Sequence, residues 1–170
     1  MVKEKELGKL NVPTPKDEIK YRVGSTFGDQ GKDANGKKIP KYARMLAYVD
    51  ARYVMEKLDQ VVGSANWSNA FHRDEKGMLY CTITITFERK DGVADTISKT
   101  DVGTESNVEQ QKGEVSDAFK RCAVHFGLAR DLYNLPNPYN YVAEMEGNKV
   151  FDKNTGRFVF PTQWKPQEDK

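Results

Sequence analysis

The sharpest pattern in the chain is the two-residue alternation in MLYCTITITFER (78–89). Leu79, Cys81, Ile83, Ile85 and Phe87 are apolar, and Tyr80, Thr82, Thr84 and Thr86 fall between them. That period predicts a strand with one face in a core and the other carrying hydroxyls. The turn-forming ERKDG (88–92) and the segment VADTISKTDVG (93–103) predict the return of a hairpin. NWSNAF (66–71), followed by the turn RDEKG (73–77), predicts a first strand of the same meander.

Helical spacing flanks this meander on both sides. Ala51, Val54, Met55, Leu58, Val61 and Val62 make one apolar stripe, with Arg52, Glu56, Lys57 and Asp59 off it. Asp50 is a suitable N-cap, because its carboxylate can accept first-turn amides, and Gly63 ends the helix. From about Asn107 the helical period returns. Val115, Ala118, Phe119, Cys122 and Phe126 share one side, and Glu114, Asp117, Lys120, Arg121 and Val124 share the other; Gly127 suits a left-handed closing residue. The order is helix, three-stranded antiparallel meander, then a long helix that packs on the sheet's apolar face. This is an α+β fold.

The flanks are read differently. Residues 1–41 lack a sustained apolar period and place four glycines between Gly24 and Gly36, which predicts a flexible basic arm. YARMLAYV (42–49) reads as a strand. Past Pro136, NPYNYVAEMEG (137–147) reads as a loop and KVFDKNTGRFVF (149–160) as a small hairpin turning at Asn154, Thr155 and Gly156. PTQWKPQEDK reads as a polar tail. The expected division is therefore an arm over 1–41, a core over 42–135 and a C-terminal loop, hairpin and tail over 136–170.

Composition adds little at the level of the whole chain. With 170 residues, one domain is the default, and 27 Lys and Arg against 25 Asp and Glu leave a net charge of only +2. Any nucleic-acid partner must be argued from local clusters. From Lys32 to Arg44 there are five cations and one acid, Asp33, a cluster that suits either a solvated loop or an arm facing phosphates. Cys81 and Cys122 fall in apolar patterns, no signal peptide opens the chain, and no apolar run reaches about 18 residues. The expectation is a soluble protein of a reducing cytoplasm, with no membrane association.

Several motifs tempt and fail. GKDANGKK (31–38) approaches a phosphate-binding loop, but Lys38 stands where a magnesium-binding hydroxyl is needed. Cys122 and His125, with His72 and Cys81, could form a set of four metal ligands, yet both cysteines fit apolar faces, so no metal is expected. No nucleophile elbow is present, and neither catalysis nor a cofactor is predicted. Asp91, Asp95 and Asp101 are the nearest carboxylates for a two-metal nuclease, but Asp91 lies in a turn. Lys120 and Arg121, taken alone, read as a solvated pair, with Asp117 one helical turn before Arg121 as its partner.

Read together, the pieces say more. YVDARYVMEKLDQVVGSANWS, the KDG turn, DVGTES and KGEVSDAFKRCAVHFGLARDLYNLP, in that order, resemble the single-strand annealing proteins of the Rad-fifty-two family, especially its bacterial DdrA-like and phage recombination branch. The resemblance covers roughly residues 42–135. It implies a β-β-β-α core that assembles as a homo-oligomer into rings or arcs and holds single-stranded DNA by its phosphates. Carried over by position, it implies DNA contacts at Lys120 and Arg121, a further one at Arg52, a secondary one at Lys90 and a candidate at Lys112. It implies ATP-independent annealing in recombination or double-strand break repair, in a bacterial or phage-infected cell. Protection of DNA 3′ ends without strong annealing is the rival expectation. A third reading makes the C-terminal hairpin and Trp164 a protein-interaction module, with a single-strand-binding protein as its partner.

Overall fold

The computed structural model describes residues 1–29, 31–104, 110–134 and 141–167. In chain order its elements are β1 (Lys20–Gly28), β2 (Lys41–Tyr48), α1 (Ala51–Val62), β3 (Trp67–Arg73), β4 (Leu79–Glu88), β5 (Ala94–Val102), α2 (Gln110–Val124), α3 (Asp131–Asn134), β6 (Val142–Glu146), β7 (Lys149–Asp152) and β8 (Arg157–Val159). They fall into two compact units: residues 1–14 with 49–131, and residues 15–48 with 132–170.

The first unit holds the antiparallel sheet β3-β4-β5. Strand β4 alternates as its sequence demands, and Cys81, Ile83 and Ile85 are fully buried. Its other face is a ladder of hydroxyls in which Thr82 meets Thr100 at 2.7 Å and Thr84 meets Ser98 at 2.8 Å. Helices α1 and α2 pack on the apolar face. Helix α1 begins where expected, with the Asp50 carboxylate accepting from the Arg52 amide at 3.1 Å, and it buries Tyr53, Val54, Leu58 and Val62. Helix α2 buries Ala118, Phe119, Cys122 and Ala123.

Two glycines permit this packing. A Cβ on Gly103 would lie 2.5 Å from the Glu114 carbonyl oxygen and 3.0 Å from Ala118 Cβ, so the strand end and α2 approach only without a side chain there. Gly127 follows α2 at φ 102°, and a Cβ would lie 2.5 Å from Asn11 Cβ.

That contact with Asn11 shows the first correction. Residues 1–41 do not lack regular structure. A 3₁₀ helix over Glu4–Leu10 packs on α1, Leu10 is 1% exposed, and the Glu88 amide donates to the Val2 carbonyl at 2.9 Å. Thr14 then donates from its amide and its hydroxyl to the Asp131 carboxylate, both at 2.7 Å.

The second unit is a five-stranded antiparallel sheet in the order β1-β2-β6-β7-β8. Its core is Tyr21, Ala43, Met45, Ala143, Val150 and Trp164. Strand β1 lies in the segment expected to be an arm, and β6 lies in the segment expected to be a loop. Both form because they pair with β2, and such pairing supplies what weak local propensity does not. The small hairpin β7-β8 turns where predicted. The tail that follows is not wholly polar: Trp164 is 6% exposed, donates from its indole to the Phe151 carbonyl at 3.1 Å and meets the Tyr21 ring edge-on at 5.2 Å. Packed this way, it is a core residue of the unit and not a free contact for a partner.

Candidate nucleic-acid interface

The docking of α2 decides which of its side chains face outward. The Cys122 thiol donates to the Lys99 carbonyl at 3.0 Å, which fixes that face of the helix on β5. Cys81 is buried beside it, and the neighbouring thiol and burial push its own thiol upward, so it stays protonated. With Phe119 and Cys122 turned inward, Lys120 and Arg121 lie toward the flank, each partly exposed.

Arg121 has a defined neighbour. Its Nε lies 3.8 Å from Asp101 Oδ1, an electrostatic contact too long for a hydrogen bond, and that Nε is buried without a hydrogen-bond partner among the described residues. Asp101 Oδ2 meets His125 Nε2 at 2.9 Å, and Asp101 Oδ1 accepts from the Val102 amide at 2.7 Å. Burial by itself would raise the Asp101 carboxyl. The Val102 amide, the His125 hydrogen bond and the Arg121 charge outweigh it and hold the group below its ordinary value of 3.8. The surface pair expected between Asp117 and Arg121 gives way to other partners. Asp117 instead accepts from the Thr104 amide and hydroxyl, both at 2.9 Å.

The end of α2 gathers two further cations that sequence reasoning does not single out. Lys99 Nζ donates to the His125 carbonyl at 2.6 Å and sits 4.9 Å from the Phe126 ring centre. Arg130 donates to the Val124 carbonyl at 2.9 and 3.1 Å and to the His125 carbonyl at 3.0 Å. These bonds satisfy carbonyls that a helix end leaves unpaired, and the positive charges suit the negative end of its dipole. The signal for Lys99 lies in the β5 alternation, which puts it on the helix-facing side of the strand. Lys99, Lys120, Arg121, His125 and Arg130 thus gather near one end of α2, with Asp101 as the acid in contact with Arg121 and His125.

The N-terminal half of α2 borders a different feature. Ala51, Met55, Asn69, Phe71, Val115, Ser116 and Phe119 line a concavity of about 460 Å³ among α1, β3 and α2. Met55 and Val115, expected in the core, are 42% and 41% exposed on its wall. Glu114, expected on the polar side, is buried instead and accepts from both terminal guanidinium nitrogens of Arg73, at 2.9 and 3.2 Å. The reason is spatial: β3 delivers a cation to that part of the helix, and a buried carboxylate is tolerable when it is paired.

The other expected contacts lie elsewhere. Arg52 is exposed at the start of α1, next to Ala51, which lines the same concavity as Ser116, one helical turn before Lys120. Lys90 is exposed in the β4-β5 turn; that turn begins five strand residues beyond Lys99, roughly 16 Å along the sheet. It is not part of the α2 cluster. Lys112 belongs to α2 by its backbone, and its side chain lies outside the described residues. Cys122 and His125 do not converge as metal ligands, since one donates to Lys99 and the other meets Asp101. No helix among the described residues is long and apolar enough to cross a membrane.

Two adjacent, partly exposed cations on a helix that packs on a three-stranded antiparallel meander place the chain in the α+β class. The family follows from the sequence: residues 4–151 match the Rad52/22 family of double-strand break repair proteins, and the chain belongs to that family. It is 32% identical over 133 residues to the single-stranded DNA-binding protein DdrA of Deinococcus deserti, covering 77% of this chain and 58% of that one. It is 35% identical over 99 residues to the protein of the same name from Deinococcus radiodurans, covering 57% of this chain and 44% of that one. The chain thus spans about half the length of the curated relatives it matches.

Proposed function

We propose that this protein binds single-stranded DNA through its phosphates and promotes the annealing of complementary strands in recombination or double-strand break repair. The observation that carries this reading is the adjacent, partly exposed pair Lys120 and Arg121 on α2 within a chain of the Rad52/22 family. The names of the two Deinococcus relatives support the choice of ligand. Lys120 and Arg121 supply the principal contacts, Arg52 a further one, and Lys90 with Lys112 secondary ones.

Mechanistically, each cation that meets a phosphate releases condensed counterions, and this sequence-independent term supplies most of the affinity. Two to four contacts on one protomer hold a strand weakly. A ring or arc of protomers repeats the strip and ties the same strand at many points, which raises avidity without a new kind of contact. Pairing of complementary strands is itself downhill, so the protein acts without ATP or bond-making chemistry. It neutralises and extends one strand and so speeds the encounter with a second.

The test is annealing of two complementary labelled oligonucleotides, with oligomer mass followed by light scattering. Lys120→Ala with Arg121→Ala should abolish acceleration without changing the mass, and Arg52→Ala should slow annealing less. A wild-type protein that binds and shields 3′ ends but does not accelerate pairing would replace annealing by end protection. A strict monomer that anneals at full rate would remove the ring.

A further inference from the structure

The cations at the end of α2 surround an acid, and the binding of phosphate alone gives no reason for one. Asp101 on β5 touches two groups of the helix end at once. Its Oδ2 meets His125 Nε2 at 2.9 Å, and its Oδ1 lies 3.8 Å from Arg121 Nε. The Asp101 side chain is 22% exposed, against 40% for Arg121 and 49% for His125, so its charge is answered by these two neighbours more than by water. The contact with Arg121 is electrostatic only, and a phosphate competes for the guanidinium with no hydrogen bond to break there.

The charge of this trio depends on one proton. With a neutral imidazole, Arg121 and Asp101 cancel, and a phosphate meets no net charge. With an imidazolium, His125 answers Asp101 and the charge of Arg121 is left over. The other charged groups that face His125 keep their state over the range, about pH 5 to 8, in which histidines titrate. Lys99 on β5 and Arg130 beyond the helix both donate to the His125 carbonyl, at 2.6 and 3.0 Å, and Lys120 and Arg121 stand on its own helix. The Asp101 carboxyl, held below its ordinary value of 3.8, is ionised throughout. The chain has two histidines, and the second, His72, stacks on Tyr80 at 5.0 Å on the hydroxyl face of the sheet, away from α2.

We propose that Asp101 and His125 form a proton-controlled brake on Arg121, in which Asp101 cancels the guanidinium charge until His125 takes up a proton. The brake rests on the reading of α2 as the phosphate site and adds regulation to it; Asp101 is a positioning residue that acts through Arg121. Its sign follows from linkage. A phosphate beside the trio favours the imidazolium, so bound strand and bound proton strengthen one another, and affinity rises as pH falls through the histidine range.

The experiment measures binding of labelled oligothymidylate at constant ionic strength at about pH 8 and about pH 6. The wild type should bind about five-fold more tightly at the lower pH, the worth of one elementary charge at about 4 Å in water. His125→Gln should bring that ratio near one, and His72→Gln should keep it. Asp101→Asn should bind more tightly than the wild type at the higher pH, whereas an Asp101 that only supports the fold would weaken binding at both. If Asp101→Asn does not fold, His125→Gln carries the test alone. A wild-type affinity independent of pH, a folded His125→Gln variant with the wild-type ratio, or a folded Asp101→Asn variant no tighter than wild type would each overturn the proposal. Lys120→Ala with Arg121→Ala separates the two claims. Normal binding by that variant would overturn the α2 site and the brake with it, while weak binding by that variant beside a wild type indifferent to pH would overturn the brake alone.

Discussion

Phe119 and Arg121 lie two positions apart on α2 and serve opposite ends. Phe119 is 2% exposed under the helix, so Phe119→Ala should cost about 3–5 kcal/mol in denaturant unfolding. Joint replacement of Lys120 and Arg121 by alanine should shift stability by less than about 1 kcal/mol, since the 3.8 Å contact of Arg121 with Asp101 is long and partly open to solvent. A large loss in the second variant would make the cations structural. Asp101 links Arg121 to His125, and its depressed carboxyl gives a sign to the pH dependence. The stability it contributes is present above the ordinary value of 3.8 and is lost as pH falls through the lower folded value. The gap in thermal midpoint between wild type and Asp101→Asn should therefore be widest near neutrality and close in acid; a gap independent of pH would contradict the assignment. Helical period alone placed Phe119, because burial there follows one face. It misplaced Glu114 and Val115, since Arg73 arrives from another strand and no spacing within α2 reports it. The same holds for Asp101, which meets His125 only because α2 docks on β5.

At the scale of elements, the meander and both long helices follow from local pattern. In β4 each residue states its side, and in α1 the cap at Asp50 and the stop at Gly63 bracket the apolar stripe. What local pattern did not reveal is pairing between distant segments. Strand β6 carries two acids in five residues and exists because β2, almost one hundred residues earlier, offers an edge. The first ten residues fold onto α1 and Glu88 for the same reason. Where elements meet closely, single atoms matter. Gly103→Ala puts a methyl group 2.5 Å from the Glu114 carbonyl, a backbone atom that cannot yield as a side chain can. It should lower stability by about 1–3 kcal/mol and displace the start of α2, seen as a changed near-ultraviolet dichroism spectrum. A variant with wild-type stability and spectrum would show that α2 is not seated as described.

For the molecule as a whole, a net charge of +2 conceals segregation. Cations gather near the end of α2, around Asp101, and on the β1-β2 hairpin, where seven stand against two acids between Lys20 and Tyr48, so the whole-chain charge hides the local excess. Family membership was legible in the ordered set of segments from YVDARYV to LYNLP, and the division into two units was not, because it rests on strands that pair across the length of the chain. The central claim, that Lys120 and Arg121 hold the phosphates of single-stranded DNA, is tested most directly by a salt titration of binding to a labelled single strand. Each lost phosphate contact should reduce the slope of log affinity against log salt by about 0.7, so the double alanine variant should bind more weakly with a slope shallower by about 1.4. A folded variant of wild-type oligomer mass that keeps both the affinity and the slope would contradict it.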